Sequence, residues 1–226
     1  NPDHMVFSKL TQGSYIPPNL KKLQAGLADL SKEFVDRMEA KGGECDFVSD
    51  VAVWYPLRVI MMILGVPRED EPTMLRLTQE LFGSTDADLS REDEKTSIDM
   101  NTVTEFVDYF TKVTAARRAD PQDDVASIIA NAEINGEPIG HLEAMSYYII
   151  VATAGHDTTS SSTAGGLLAL LENPDQLKQF RTNPDLLPSA IDEKIRWSTP
   201  VKHFMRTAPA DYDLRGKTIN NTDSIS

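Results

Sequence analysis

A mainly α fold with a minor β component is predicted from three features of the sequence. Apolar residues recur at helical spacing through most of the chain up to Ala132. His141 to Glu172 is a single stretch of about 30 residues with almost no charge. Strand-like patterning shows only late, in Val201 to Thr207 and Tyr212 to Ile219.

Pro17-Pro18 sets up a helix start near Asn19, and Leu20, Leu23, Leu27, Leu30 and Phe34 follow at helical spacing until Gly42-Gly43. A second apolar helix runs from about Phe47 to Leu64, closed by Gly65-Val66-Pro67. Acidic Glu69-Asp70-Glu71 leads into a third through Met74, Leu75, Leu77 and Leu81. Ser84 to Thr96 is polar and reads as a mobile connection. Val103 to Val113 carries Phe106, Tyr109 and Phe110 on one face, and Arg117 to Pro121 breaks it. Asp123-Asp124-Val125 caps a short helix through Ile128, Ile129 and Ala132, and Asn135-Gly136-Glu137-Pro138 is a turn. Arg215-Gly216 marks a bend between late strands.

The 226 residues suit one domain or part of a larger one. A formal net charge of −13 argues against nucleic acid or an anionic membrane as the main partner. Cys45 is the one cysteine, so no internal disulfide forms and a reducing cytoplasm is expected. Neither end of the sequence reads as a domain edge, and the expectation is a single domain over 1–226 truncated at both ends.

The His141–Glu172 stretch predicts a helix roughly 45 Å long at about 1.5 Å per residue. Between Glu143 and Glu172 its only certain charge is Asp157, so burial on nearly all sides is expected. A membrane span is excluded by the unbroken polar run from His156 to Thr163 at its centre. Hydroxyls of this kind either bond back to the helix's own carbonyls or do chemistry. Asp157 favours chemistry, because a buried carboxylate must find partners or take up a proton. With Thr158 directly after it, an acid and an alcohol stand where hydroxyls disturb the backbone ladder. His156 is expected to point about 100° around the helix from Asp157, which argues against a shared metal site.

Ala154-Gly155-His156-Asp157-Thr158-Thr159 resembles the oxygen-activation motif of the cytochrome P450 family. Three further stretches share the resemblance. Glu193-Lys194-Ile195-Arg196 resembles the family's Glu-x-x-Arg, Arg206-Thr207-Ala208 its propionate-binding strand, and Asn1-Pro2-Asp3-His4 the start of a helix lining the heme. Gly43 to Phe47, Tyr55-Pro56-Leu57, Leu64 to Pro67 and Pro200-Val201-Lys202 also fit its terpineol-hydroxylating bacterial group. The resemblance covers essentially the whole chain and implies the central portion of that fold.

It implies a central helix that bulges at the motif, with Asp157 and Thr158 delivering protons and Ala154 and Gly155 making the oxygen pocket. It implies heme b (iron protoporphyrin IX) in the complete protein, with His4 and Arg206 at its propionates. Glu193 and Arg196 become a structural pair, buried in the family, although the sequence alone favours an exposed one. The substrate pocket is expected to include Thr153, Val201, His203 and Phe204, with Lys202 turned away by strand alternation. The activity implied is hydroxylation of a small apolar molecule such as a terpenoid, with electrons from a ferredoxin and its NAD(P)H-dependent reductase. Two departures stand out. Ser8, with Lys9 beside it, occupies the place of a family arginine, and the loop carrying the axial cysteine is absent, so the metal ligand is not expected in this chain. Cys45 reads as a structural thiol. The competing expectation is a truncated or heme-free helical fragment without activity of its own; a di-metal carboxylate bundle is discarded, since no Glu-x-x-His pairs exist.

Overall fold

The computed structural model describes residues 4–82 and 100–225. Asn1 to Asp3 and the Ser84 to Thr96 connection lie outside the described residues. The chain divides into two compact units, Asn1–Ser160 and Ser161–Ser226.

The first unit holds helices α1 (His4–Gln12), α2 (Pro17–Ala40), α3 (Trp54–Leu64), α4 (Glu71–Phe82), α5 (Met100–Ala119), α6 (Val125–Ala130) and α7 (His141–Ala154). Its core follows from apolar residues three and four apart. Leu57, Met61 and Leu64 on α3 are fully buried, as are Phe106 and Phe110 on α5 and Tyr148 on α7. The Phe110 and Tyr148 rings stack with centroids 4.5 Å apart. Tyr148 is buried without an orphaned hydroxyl, because it donates to the Ala126 carbonyl at 3.0 Å and receives Thr114 at 3.3 Å. Each such aromatic burial contributes about 2–3 kcal/mol.

Around this core, polar groups fix the helix ends. Asp124 caps α6 by accepting the Ser127 N–H at 2.7 Å, and the same carboxylate accepts Arg117 Nε at 2.7 Å. Arg117 in turn donates to the Gly65 carbonyl at 2.8 Å, tying the end of α3 to α5 and α6. Arg58 on α3 bridges Glu71 of α4 at 2.7 Å and Glu33 of α2 at 2.6 Å. Burial works against the Arg58 charge, but hydrogen bonds to Glu33 and Glu71 outweigh it and raise its pKa. For Glu33, burial pushes the pKa up, and the bonds from Arg58 and Arg68 prevail and lower it.

The predicted second helix starts as a wider π turn, Val48–Ala52, ahead of α3. Asp46 caps it, accepting the N–H groups of Val48 and Ser49 at 3.0 and 3.1 Å. The predicted turn at Asn135-Gly136 is flanked by two short paired strands, β1 (Glu133–Ile134) and β2 (Glu137–Pro138). Strand therefore occurs earlier than the sequence reading placed it; two-residue strands are too short for alternation to reveal them.

The long helix is corrected in two respects. It is two helices, α7 and α8 (Asp157–Glu172), interrupted at Gly155-His156. Nor is it buried on nearly all sides, since Leu142, Ile150, Leu168 and Leu171 are 76%, 61%, 57% and 58% exposed. α7 buries Ala144, Met145, Tyr148, Val151 and Ala152, and low charge alone does not tell which faces the chain's own elements reach. Among the described residues no helix is long and apolar enough to cross a membrane.

The second unit comprises α8 from Ser161, α9 (Pro174–Thr182), α10 (Leu187–Ser198) and strands β3 (Arg206–Thr207), β4 (Tyr212–Leu214), β5 (Lys217–Ile219) and β6 (Ser224–Ile225). A Cβ on Gly166 would stand 2.6 Å from Lys194 Cγ, so glycine is what lets α10 approach α8 so closely. β4 and β5 form the predicted hairpin, turning through Arg215 and Gly216 at φ 52° and 78°. The expected Val201 to Thr207 strand shrinks to Arg206–Thr207, paired with Ile225 and Ser224. Val201 to Met205 is irregular, so the alternation that was to turn Lys202 away from Val201 and His203 does not apply.

Candidate functional site

The interruption between α7 and α8 is built by polar bonds to the helix's own backbone. The Thr153 hydroxyl donates to the Ile149 carbonyl at 2.7 Å, and the Thr158 hydroxyl to the Ala154 carbonyl at 3.2 Å. The His156 N–H turns back to Thr153, three residues earlier, at 3.3 Å, and the regular ladder resumes with Ser160 N–H on the His156 carbonyl. Hydroxyls competing for carbonyls on both sides of a glycine loosen a helix in this way. Gly155 itself faces α3, where a Cβ would lie 3.3 Å from Ile60 Cδ1.

The break changes where the polar side chains go. Asp157 was expected to be buried; its side chain is 47% exposed, and His156 is the buried residue at 1%. The two were also expected to point about 100° apart, yet His156 Nδ1 lies 3.0 Å from Asp157 Oδ1. The regular angle between neighbours does not hold across an interrupted helix. His156 turns inward, its Nε2 3.1 Å from the Val53 carbonyl at the junction of the π turn with α3. Asp157 opens α8 and stays at the edge. Asp157 Oδ1 stands off the hydrogen-bonding axis of Nδ1, which has no hydrogen-bond partner. The sequence reading missed this buried imidazole; a histidine inside an otherwise apolar and hydroxylic run was the available signal.

Among the described residues no group of three or more His, Cys, Asp or Glu side chains could hold a metal ion. Ala154 is exposed and Gly155 half-buried. His4 opens α1, but its side chain lies outside the described residues. Ser8 bonds loosely to the Met5 carbonyl at 3.5 Å, and Lys9 is exposed. Cys45 is exposed.

In the second unit, Glu193 and Arg196 form a two-pronged pair, both contacts 2.6 Å, with side chains 58% and 66% exposed. Hydrogen bonds from Arg196 hold the Glu193 carboxyl below its ordinary range. In this chain the pair is thus exposed, as the sequence alone favours, and not buried as the family resemblance implies. Arg206 is exposed, bonds the Met205 carbonyl at 2.9 Å and sits 5.7 Å above the Phe204 ring. Val201, His203 and Phe204 are exposed on the same segment.

No family model matches the sequence. Curated relatives do. The chain is 42% identical to cytochrome P450-terp of a Pseudomonas species over 99% of its own length and 54% of the relative's. It is 33% identical to a steroid C26-monooxygenase of Mycobacterium tuberculosis over 97% of its length and 58% of the relative's. Among solved structures, CYP108D1 from Novosphingobium aromaticivorans superposes with a TM-score of 0.86 at 46% identity, covering 99% of this chain and 52% of that one. Mycobacterium marinum CYP268A2, solved in complex with pseudoionone, gives 0.92 at 28% identity, covering 99% and 54%. The chain spans about half the length of the curated relatives it matches. In sequence and in fold, the chain corresponds to about half of a bacterial cytochrome P450.

Proposed function

We propose that the protein carrying this chain is a cytoplasmic, heme-dependent monooxygenase acting on a small apolar substrate such as a terpenoid. Electrons would come from a ferredoxin-type partner and its NAD(P)H-dependent reductase. The observation that carries this reading is the interrupted helix at Gly155-His156, which sets the acid of Asp157 and the alcohol of Thr158 side by side on loosened backbone.

The donor set fits a heme in part. Arg206 presents an exposed planar cation, bonded to the Met205 carbonyl and set over the Phe204 ring, the chemistry a propionate requires. His4 is kept as a second propionate contact. Ala154, exposed at the break, and Gly155, which faces Ile60 of α3, are kept as the small residues of the oxygen pocket. Cys45, exposed ahead of the π turn, is not taken as the iron ligand. Heme b, when bound, supplies the iron at which dioxygen is bound and reduced. The chain's own contribution is to hold Asp157 half-exposed, where solvent can recharge it, and to keep Thr158 against the Ala154 carbonyl as the next hydroxyl. Glu193 and Arg196 hold α10 together as a structural pair.

For substrate, Val201 and Phe204 offer apolar surface, and His203 a single imidazole. Thr153 contributes less than the sequence reading assigned, because its hydroxyl proton is committed to the Ile149 carbonyl. Apolar walls with few polar groups suit a compact terpenoid alcohol better than a fatty acid. The 42% identity to cytochrome P450-terp supports the same choice. The test is a titration of the heme-loaded, full-length protein with monoterpenoid alcohols and long-chain fatty acids. The expected result is a low-spin to high-spin Soret shift with the terpenoids. A full shift with fatty acids and none with any terpenoid overturns the substrate reading.

A further inference from the structure

His156 is 1% exposed, and its Nδ1 is buried with no hydrogen-bond partner. Its other nitrogen fixes the tautomer. Nε2 stands 3.1 Å from the Val53 carbonyl, and a carbonyl only accepts, so Nε2 carries hydrogen. In the neutral ring Nδ1 is then a bare acceptor. The group beside it is Asp157 Oδ1 at 3.0 Å, an acceptor as well when ionised. Two acceptors this close repel, and a buried polar atom left unpaired costs about 1–3 kcal/mol. One proton between them removes both penalties, whichever atom it rests on.

The other titratable and charged groups of the packed elements are engaged or distant. From the Val53 to Ile60 segment, Tyr55 meets the Ser31 hydroxyl at 2.9 Å, and Arg58 is bound by Glu33 and Glu71. On α7, Tyr147 meets Thr11 and Tyr148 the Ala126 carbonyl, while His141 and Glu143 lie at the opposite end of the helix. On α8 the remaining acid, Glu172, is its last residue. Oδ1 lies off the Nδ1 axis, so a hydrogen bond between them requires the half-exposed Asp157 side chain to turn.

We propose that His156 is a positioning residue that binds Asp157 into a one-proton pair and reloads it during proton delivery. The N–H bond at Nδ1 breaks as the O–H bond at Oδ1 forms, and the lone pair returns to the imidazole; once Asp157 gives that proton up the pair carries one negative charge and is refilled by a proton from solvent at the half-exposed carboxylate. No electrons change hands. The direction of delivery toward Thr158 rests on the monooxygenase reading; the pair itself does not.

Nitrogen NMR of the labelled imidazole in the full-length protein tests the pair without reference to turnover. At neutral pH the Nε2 signal is expected to be protonated, with Nδ1 displaced from the bare-nitrogen position toward the protonated one. In Asp157→Ala, Nδ1 should return to the bare position. A bare Nδ1 already in the wild type, or a proton on Nδ1 with Nε2 bare, overturns the proposal. His156→Gln keeps a donor for the Val53 carbonyl and deletes Nδ1. In the heme-loaded protein it should slow turnover on the order of tenfold and alter its pH profile, with substrate affinity unchanged; an unaltered profile also overturns reloading. If the NMR result holds while Thr158→Ala produces no extra peroxide, the proton-delivery reading fails and the pair stands.

Discussion

The carboxylate of Asp124 occupies the space in which a side chain on Gly65 would begin. Gly65 ends α3 at φ 75°, a left-handed conformation, and its carbonyl receives Arg117, which Asp124 also holds. One glycine thus closes a helix and admits the carboxylate that caps another.

Gly65→Ala should therefore destabilise the protein by about 2 kcal/mol or more, from left-handed strain plus displacement of a bonded carboxylate. Asp124→Ala removes the cap and leaves Arg117 partly buried without its partner, at a cost of about 3 kcal/mol. Because both changes act on one contact, the double variant should fall short of the sum by roughly 1 kcal/mol. Denaturant unfolding of the two single variants and the double measures this; strict additivity would contradict the shared contact.

Glu33 gives a signed pH dependence. Its folded-state pKa is lowered by Arg58 and Arg68, so its contribution is present above its unfolded pKa and is lost as pH falls through the folded value. Glu33→Gln should flatten the acid limb of the stability curve while lowering the neutral plateau. Equal acid slopes for wild type and variant would count against the network.

Thr158→Ala in the heme-loaded, full-length protein should leave substrate binding nearly unchanged and divert reduced oxygen to peroxide. Asp157→Asn should slow turnover instead, by about a hundredfold if the proton supply is cut. Product formed per NAD(P)H consumed separates the two. Normal coupling in both would show that the break at Gly155-His156 serves structure alone.

Cys45, exposed and outside the elements that form the break, should give the iron no thiolate. The 226-residue chain mixed with heme, reductant and carbon monoxide is expected to show no thiolate-type Soret band. Cys45→Ser should be spectrally identical.

The sequence by itself determined the mainly helical class and most of the helices. Leu57, Met61 and Leu64, or Phe106 and Phe110, recur at the spacing that one packed face demands, and Gly65 and Asp124 mark ends that few other residues could form. It did not show α9, in which no residue is buried and Leu177 and Phe180 are half-buried. The motif from Ala154 to Thr159 was legible because glycine, acid and alcohol rarely meet inside an apolar helix. Which of its side chains is buried was not. An unbroken helix fixes the angle between His156 and Asp157, whereas bonds from Thr153 and Thr158 to the backbone interrupt this one. Packing against α3 then decided that the imidazole goes inward to Val53 and the carboxylate stays at the edge. Periodicity is a property of neighbours along the chain; the partner for His156 comes from a residue 103 positions away, and only the tertiary structure could supply it.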